Sequence, residues 1–95
     1  MAADPSLLRI VARAHDIQDR LNQNTQLTVN DIALEERVTA AYIYTLLRLP
    51  WLAPDITTAI VNGRQPQDLN AKTLMRKTSR LPADWMEQRA LLGFL

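Results

Sequence analysis

The residues of this 95-residue chain that could do chemistry are mostly cations and small polar side chains. Arg37, Arg48, Arg64, Lys72, Arg76, Lys77 and Arg80 fall between residues 37 and 83 against only Asp55 and Asp68, a local net charge of +5. Residues 1–36 set three arginines against six acids, and residues 84–95 are again slightly acidic, so the overall charge of +1 hides a gradient. A cationic middle is where a polyanion would bind, and a solvated charged surface is the plain alternative. Nine of the eleven bases are arginine, whose forked guanidinium matches phosphate better than an ammonium does. Lys72, Arg76, Lys77 and Arg80 place four bases in nine residues, with Lys72 and Arg76 four apart on one helical face. Such a cluster can grip phosphates or simply form a solvated basic loop.

No catalytic set is legible. The acids are scattered, no Ser or Thr has a histidine base near it in sequence, and two glycines, Gly63 and Gly93, build no phosphate-cradling loop. Cysteine is absent, which excludes disulfides and thiolate metal sites. The lone His15 has no clustered carboxylates with which to hold a metal and reads as a surface or boundary histidine. The expectation is a protein without enzymatic activity, cofactor or metal. Trp51 and Trp85 read as core plugs rather than stacking platforms.

Residues 28–48, TVNDIALEERVTAAYIYTLLR, are the stretch around which these cations are arranged, and they read as a helix-turn-helix. A small residue, Ala33, stands where two helices would cross closely. Ile32, Val38, Ile43 and Leu46 stand one before and five, ten and thirteen after it, the spacing that locks two helices around a three-residue turn at Glu36, Arg37 and Val38. An ordinary helix pair would share this core periodicity. The second helix, about Thr39 to Leu47, turns Tyr42, Ile43, Leu46 and Leu47 inward and leaves Thr39, Ala40, Ala41, Tyr44, Thr45 and Arg48 outside. Ala40 and Ala41 can touch a thymine methyl but cannot hydrogen-bond a base, whereas Thr39, Tyr44 and Thr45 can reach a phosphate or a base edge. Arg37 occupies a turn position that often holds glycine. A left-handed backbone there would cost about 1 kcal/mol, and a wider turn is the alternative.

The remaining elements follow from caps and breakers. Asp4 or Ser6 caps a first helix whose apolar stripe is Leu7, Ile10, Val11, Ala14, Ile17 and Leu21, ending at Asn22–Asn24. Thr28, with Asp31 three residues on, caps the second, and Thr39 the third. Pro50 stops the third helix, Pro54 opens a fourth carrying Ile56, Ala59 and Ile60, and Asn62-Gly63 ends it. Asn70 caps a fifth, Ala71 to about Lys77, and Pro82 or Asp84 starts a sixth that ends at Gly93. The predicted fold is all-α, a compact bundle of about six short helices in one domain over 1–95. The 47% apolar content is that of a globular chain rather than a disordered one. No apolar run approaches the ~20 residues of a membrane span, and the first residues lack a signal pattern, so a soluble cytoplasmic protein is expected.

RLPWLAPDITTAIVNGRQP (48–66), preceded by the helix-turn-helix and by LLRIVARAH (7–15), resembles the C-terminal DNA-binding region of serine site-specific recombinases of the resolvase–invertase type. The ending WMEQRALLGF (85–94) is similar to that region's terminus, so the resemblance covers most of the chain, and LAPDI (52–56) and NGRQP (62–66) are its most specific parts. More loosely, a helix-turn-helix followed by a proline-started helix ending in glycine resembles partition proteins of the ParB/KorB type. In such recombinases a separate domain carries the nucleophilic serine, and this chain has no room for it. The resemblance therefore implies DNA binding with Thr39–Arg48 as recognition helix, in recombination or transcriptional regulation, without recombinase chemistry.

Together these readings lead to double-stranded DNA as partner. Arg37, Arg48, Lys72, Arg76, Lys77 and Arg80 would hold phosphates, and Thr39, Ala40, Ala41, Tyr44 and Thr45 would lie along the duplex. One small module needs a homodimer or a tethered catalytic domain for useful affinity. The rival reading is a helical protein-interaction module whose contact patch is Ala40, Ala41 and Tyr44.

Overall fold

A computed structural model describes residues 3–94, and six α-helices account for most of them. They are α1 (Pro5–Gln23), α2 (Val29–Glu36), α3 (Ala40–Leu46), α4 (Pro54–Val61), α5 (Ala71–Thr78) and α6 (Trp85–Leu92). A single 3₁₀ turn, Leu49–Trp51, joins α3 to α4. No strand occurs among the described residues, so the bundle is all-α as expected.

Local chemistry sets nearly every helix start. Asp4 Oδ1 accepts from the amides of Ser6 and Leu7, at 2.9 and 3.3 Å. Thr28 and Asp31 form a reciprocal capping box, Asp31 N–H to Thr28 Oγ1 at 3.1 Å and Thr28 N–H to Asp31 Oδ2 at 3.0 Å. Donation from the Thr28 backbone N–H, and then from its side chain, holds the Asp31 carboxyl below its ordinary pKa. Thr39, Asn70 and Asp84 cap α3, α5 and α6 in the same way. Helix ends are equally local. Beyond α4, Gly63 is left-handed (φ 72°), with Gly63 N–H on Ile60 O and Arg64 N–H on Ala59 O, a Schellman ending that favours glycine.

Helix α1 is the spine. Leu7, Val11, Ala14 and Ile17 form its buried stripe, against which α3, the 3₁₀ turn, α4 and α5 all pack. The core continues through Ile32, Ile43, Leu46, Leu49, Leu52, Ile56, Ile60, Leu74 and Leu92. Helix α2 packs chiefly on α3 and is tied to α1 by two ion pairs, Arg13–Glu36 and Arg20–Glu35.

The corner between α3 and α4 departs from expectation. Leu52 is buried, but Trp51 is 68% exposed, so it is not a core plug. The reason is the 3₁₀ geometry: residues three apart eclipse, so Leu49 and Leu52 share the inner side and Trp51 points away. Trp85 is likewise 50% exposed, because Asp84 caps the helix one residue earlier and its first turn overhangs solvent.

What fills the corner is a polar side chain. Gln88 of α6 is 1% exposed. Its Oε1 accepts from Ala53 N–H at 2.8 Å, and its Nε2 donates to Trp51 O at 3.2 Å and Pro82 O at 2.9 Å. Beside it Arg89 grips Asp55 through two parallel hydrogen bonds of 2.8 and 2.7 Å. This grip lowers the Asp55 pKa and raises that of Arg89. The WMEQRALLGF tail is therefore docked on LAPDI by Gln88 and Arg89.

Two outcomes follow for stability. Gln88→Ala leaves an amide and two carbonyls without this partner and should lower the unfolding free energy by about 2–4 kcal/mol in urea denaturation. A change under about 0.5 kcal/mol would show that water replaces it at no cost. Because the native Asp55 pKa lies below its ordinary 3.8, the stability it adds is present above that value and is lost as pH falls through the lowered native pKa. The difference between wild type and Asp55→Asn should therefore be constant above that range and close below it, and a difference that grows on acidification would contradict the pairing.

Candidate nucleic-acid interface

The α2–α3 pair positions most of the predicted site. Helix α2 ends in a Schellman motif, with Val38 N–H on Ala33 O at 3.0 Å and Arg37 N–H on Leu34 O at 3.3 Å. Arg37 is left-handed, at φ 59° and ψ 43°, so the turn is the tight form and not the wider alternative. Among the described residues it is the one non-glycine with positive φ. The turn exposes the Arg37 side chain two residues before the α3 cap, Thr39.

Ile43 and Leu46 of α3 are fully buried, and Tyr42 and Leu47 are half-buried against the core. Thr39, Ala41, Tyr44 and Arg48 are exposed, and Ala40 and Thr45 half-exposed, as their spacing predicts. The polar reach of this face is narrower than its composition suggests. Thr45 Oγ1 donates to Ala41 O at 3.1 Å, inside the helix. Arg48 Nη1 donates to Ser79 O at 2.8 Å, which ties the end of α3 to the end of α5 and sets a cation against the negative pole of that helix.

Helix α5 packs directly on α3, so the second cluster lies beside the first. Lys72, Arg76 and Arg80 are exposed. Lys77 is the exception to the four unpaired bases expected there. Its Nζ donates to Leu91 O at 3.1 Å, near the C-terminus of α6, and the side chain is half-buried. Its role in the structure is to hold α6.

The distribution of ion pairs sharpens the charge gradient. Among the described residues, the three arginines in ion pairs, Arg13, Arg20 and Arg89, lie outside residues 37–83. None of the seven cations from Arg37 to Arg80 meets a carboxylate among the described residues. Arg37 and Arg48 flank α3, and Lys72, Arg76 and Lys77 lie on the adjoining α5, with Arg80 just beyond it. No group of His, Asp and Glu among the described residues could hold a metal ion, and no helix among them is long and apolar enough to cross a membrane.

Sequence reasoning missed a groove of about 430 Å³ at the end of α3, lined by Tyr44, Leu47, Arg48, Trp51, Leu81, Pro82 and Ala83. Tyr44 is 60% exposed on its rim. The signal available was the Leu49–Leu52 spacing of three, which turns Trp51 outward. The loop that closes the groove, Leu81–Ala83, is brought there by Gln88 and Arg48 and has no local signature. Comparison with protein-family models, curated proteins and solved structures gives no match for this chain.

The left-handed Arg37 makes a stability test. Arg37→Gly should raise the unfolding free energy by about 0.5–1 kcal/mol, whereas Arg37→Ala should change it by less than about 0.5 kcal/mol. Loss of stability in the glycine variant would mean that the turn carries no strain.

Proposed function

We propose that the chain is a DNA-binding module in which α2 and α3 act as a helix-turn-helix, and that it works in recombination or transcriptional regulation. The observation that carries this reading is the set of seven cations between Arg37 and Arg80, none in an ion pair among the described residues, of which Arg37 and Arg48 flank α3 and Lys72, Arg76 and Lys77 lie on the adjoining α5. Helix α3, extended to Arg48, enters the major groove. Arg37, Lys72, Arg76 and Arg80 hold phosphates. Arg48 and Lys77 first brace the fold, and their remaining N–H groups add to the positive field. Thr39, Tyr44 and Thr45 touch backbone or base edges, while Ala40 and Ala41 allow close approach. The module acts on double-stranded DNA in the cytoplasm, as a homodimer or beside a tethered catalytic domain, and performs no catalysis of its own.

A specific observation also favours a second reading. The groove between Tyr44 and Trp51 adjoins the same face, and an apolar cleft suits a protein partner better than a duplex. In that reading Ala40, Ala41 and Tyr44 belong to a protein-interaction surface.

Salt titration of binding to pooled genomic duplex fragments separates the two. A phosphate-held complex with about six contacts loses roughly three orders of magnitude in affinity between about 50 and 200 mM salt. Lys72→Ala with Arg76→Ala should flatten the log–log slope by about 1.8. Absence of binding at low salt would overturn the DNA reading and leave the protein-interaction module.

A further inference from the structure

We infer that the Tyr44–Trp51 groove receives Leu34 from a second copy of this chain, giving a head-to-tail contact. Leu34, near the end of α2, is 80% exposed, more than any other large apolar side chain described. It stands out because its neighbours Ile32 and Ala33 are fully engaged in the core. Two charges of opposite sign flank it on the helix surface. Asp31 lies three residues before and Arg37 three after, both exposed. The groove offers the complementary pattern. Its walls are Tyr44, Leu47, Trp51, Leu81 and Pro82, Arg48 lines it from α3, and the exposed Asp84 directly follows the lining residue Ala83 in the chain.

Each charge has an unused bonding group. Arg48 uses one guanidinium nitrogen on Ser79 O and can offer another to Asp31. Asp84 uses Oδ1 in capping α6, and its Oδ2 can accept from Arg37. No acid lines the groove beside Arg48, so an incoming carboxylate meets no repulsion there.

Knob and groove are different surfaces of one molecule. The contact is therefore heterologous, and each added copy leaves one knob and one groove free. Association builds open chains rather than a closed dimer. A single leucine in a small groove makes a weak contact, with a Kd of about 0.1–1 mM.

Sedimentation velocity without DNA tests this, over about 10 µM to 1 mM protein. Wild type should show a weight-average mass that rises with concentration past that of a dimer, and less steeply at high salt. Leu34→Glu and Trp51→Ala should each stay monomeric, with Tyr44→Ala as a second groove variant and circular dichroism checking the fold. The decisive sample is an equimolar mixture of Leu34→Glu and Trp51→Ala. The first retains the groove and the second the knob, so the mixture should associate and stop at dimers. Monomeric wild type at the highest concentration would overturn the proposal. So would association that survives Leu34→Glu, or a mixture that stays monomeric.

Discussion

The structure depends on one polar constraint at its tightest corner. Helix α3 ends at Leu46, Pro50 stands in the first turn of the 3₁₀ segment that follows and so does not itself stop α3, and Pro54 restarts the chain as α4. The residue before Pro54, Ala53, is extended (ψ 137°), as the residue before a proline prefers, so the helical run ends at Leu52 and Ala53. The segment between the two prolines buries Leu52 and Ala53, and Ala53 caps α4 with no side-chain hydrogen bond of its own. An amide buried there without a partner would cost on the order of 1–3 kcal/mol. Gln88 removes that cost by accepting from Ala53 and donating to Trp51 and Pro82 in one side chain. The corner at Trp51–Ala53 and the loop at Pro82, distant from each other in sequence, are thus closed on a single amide group of α6.

From that closure the surface features follow. Once α6 is docked, Lys77 can brace Leu91 O, and the Leu81–Ala83 loop is held against the end of α3. Arg48 on Ser79 O completes the same seam from the other side. The apolar groove and the basic face are therefore products of the same packing. Outside the middle segment Arg13 pairs with Glu36 and Arg20 with Glu35, and Arg89 reaches in to pair with Asp55. These pairs knit α1 to α2 and α4 to α6. They leave the seven cations of residues 37–83 without a carboxylate partner among the described residues, and on this the proposed attraction to phosphate rests.

Much of the fold was legible because its signals act within four residues. Thr28 with Asp31, Thr39, Asn70 and Asp84 identify helix starts through their own side-chain oxygens, and Gly63 and Gly93 identify ends through the left-handed backbone. The inner stripe of α1 and the sidedness of α3 came from 3.6-residue periodicity for the same reason. The burial expected of Trp51 and Trp85 from residue type alone does not hold. Trp51 sits on a 3₁₀ turn whose inner side Leu49 and Leu52 already occupy, and Trp85 sits on the overhanging first turn of α6.

The candidate site divides along the same line. Which cations exist, and which residues of α3 face outward, could be read from the sequence, because charge and helical phase are properties of the chain itself. Which of those cations already hold a carbonyl could be settled only by the tertiary structure. Arg48 reaches Ser79 across 31 positions and Lys77 reaches Leu91 across 14. The choice of Gln88, rather than a tryptophan, to fill the corner spans 35 positions to Ala53. Hydrogen bonds over such separations leave no periodic trace, since each depends on where whole helices come to rest and not on the residues beside it.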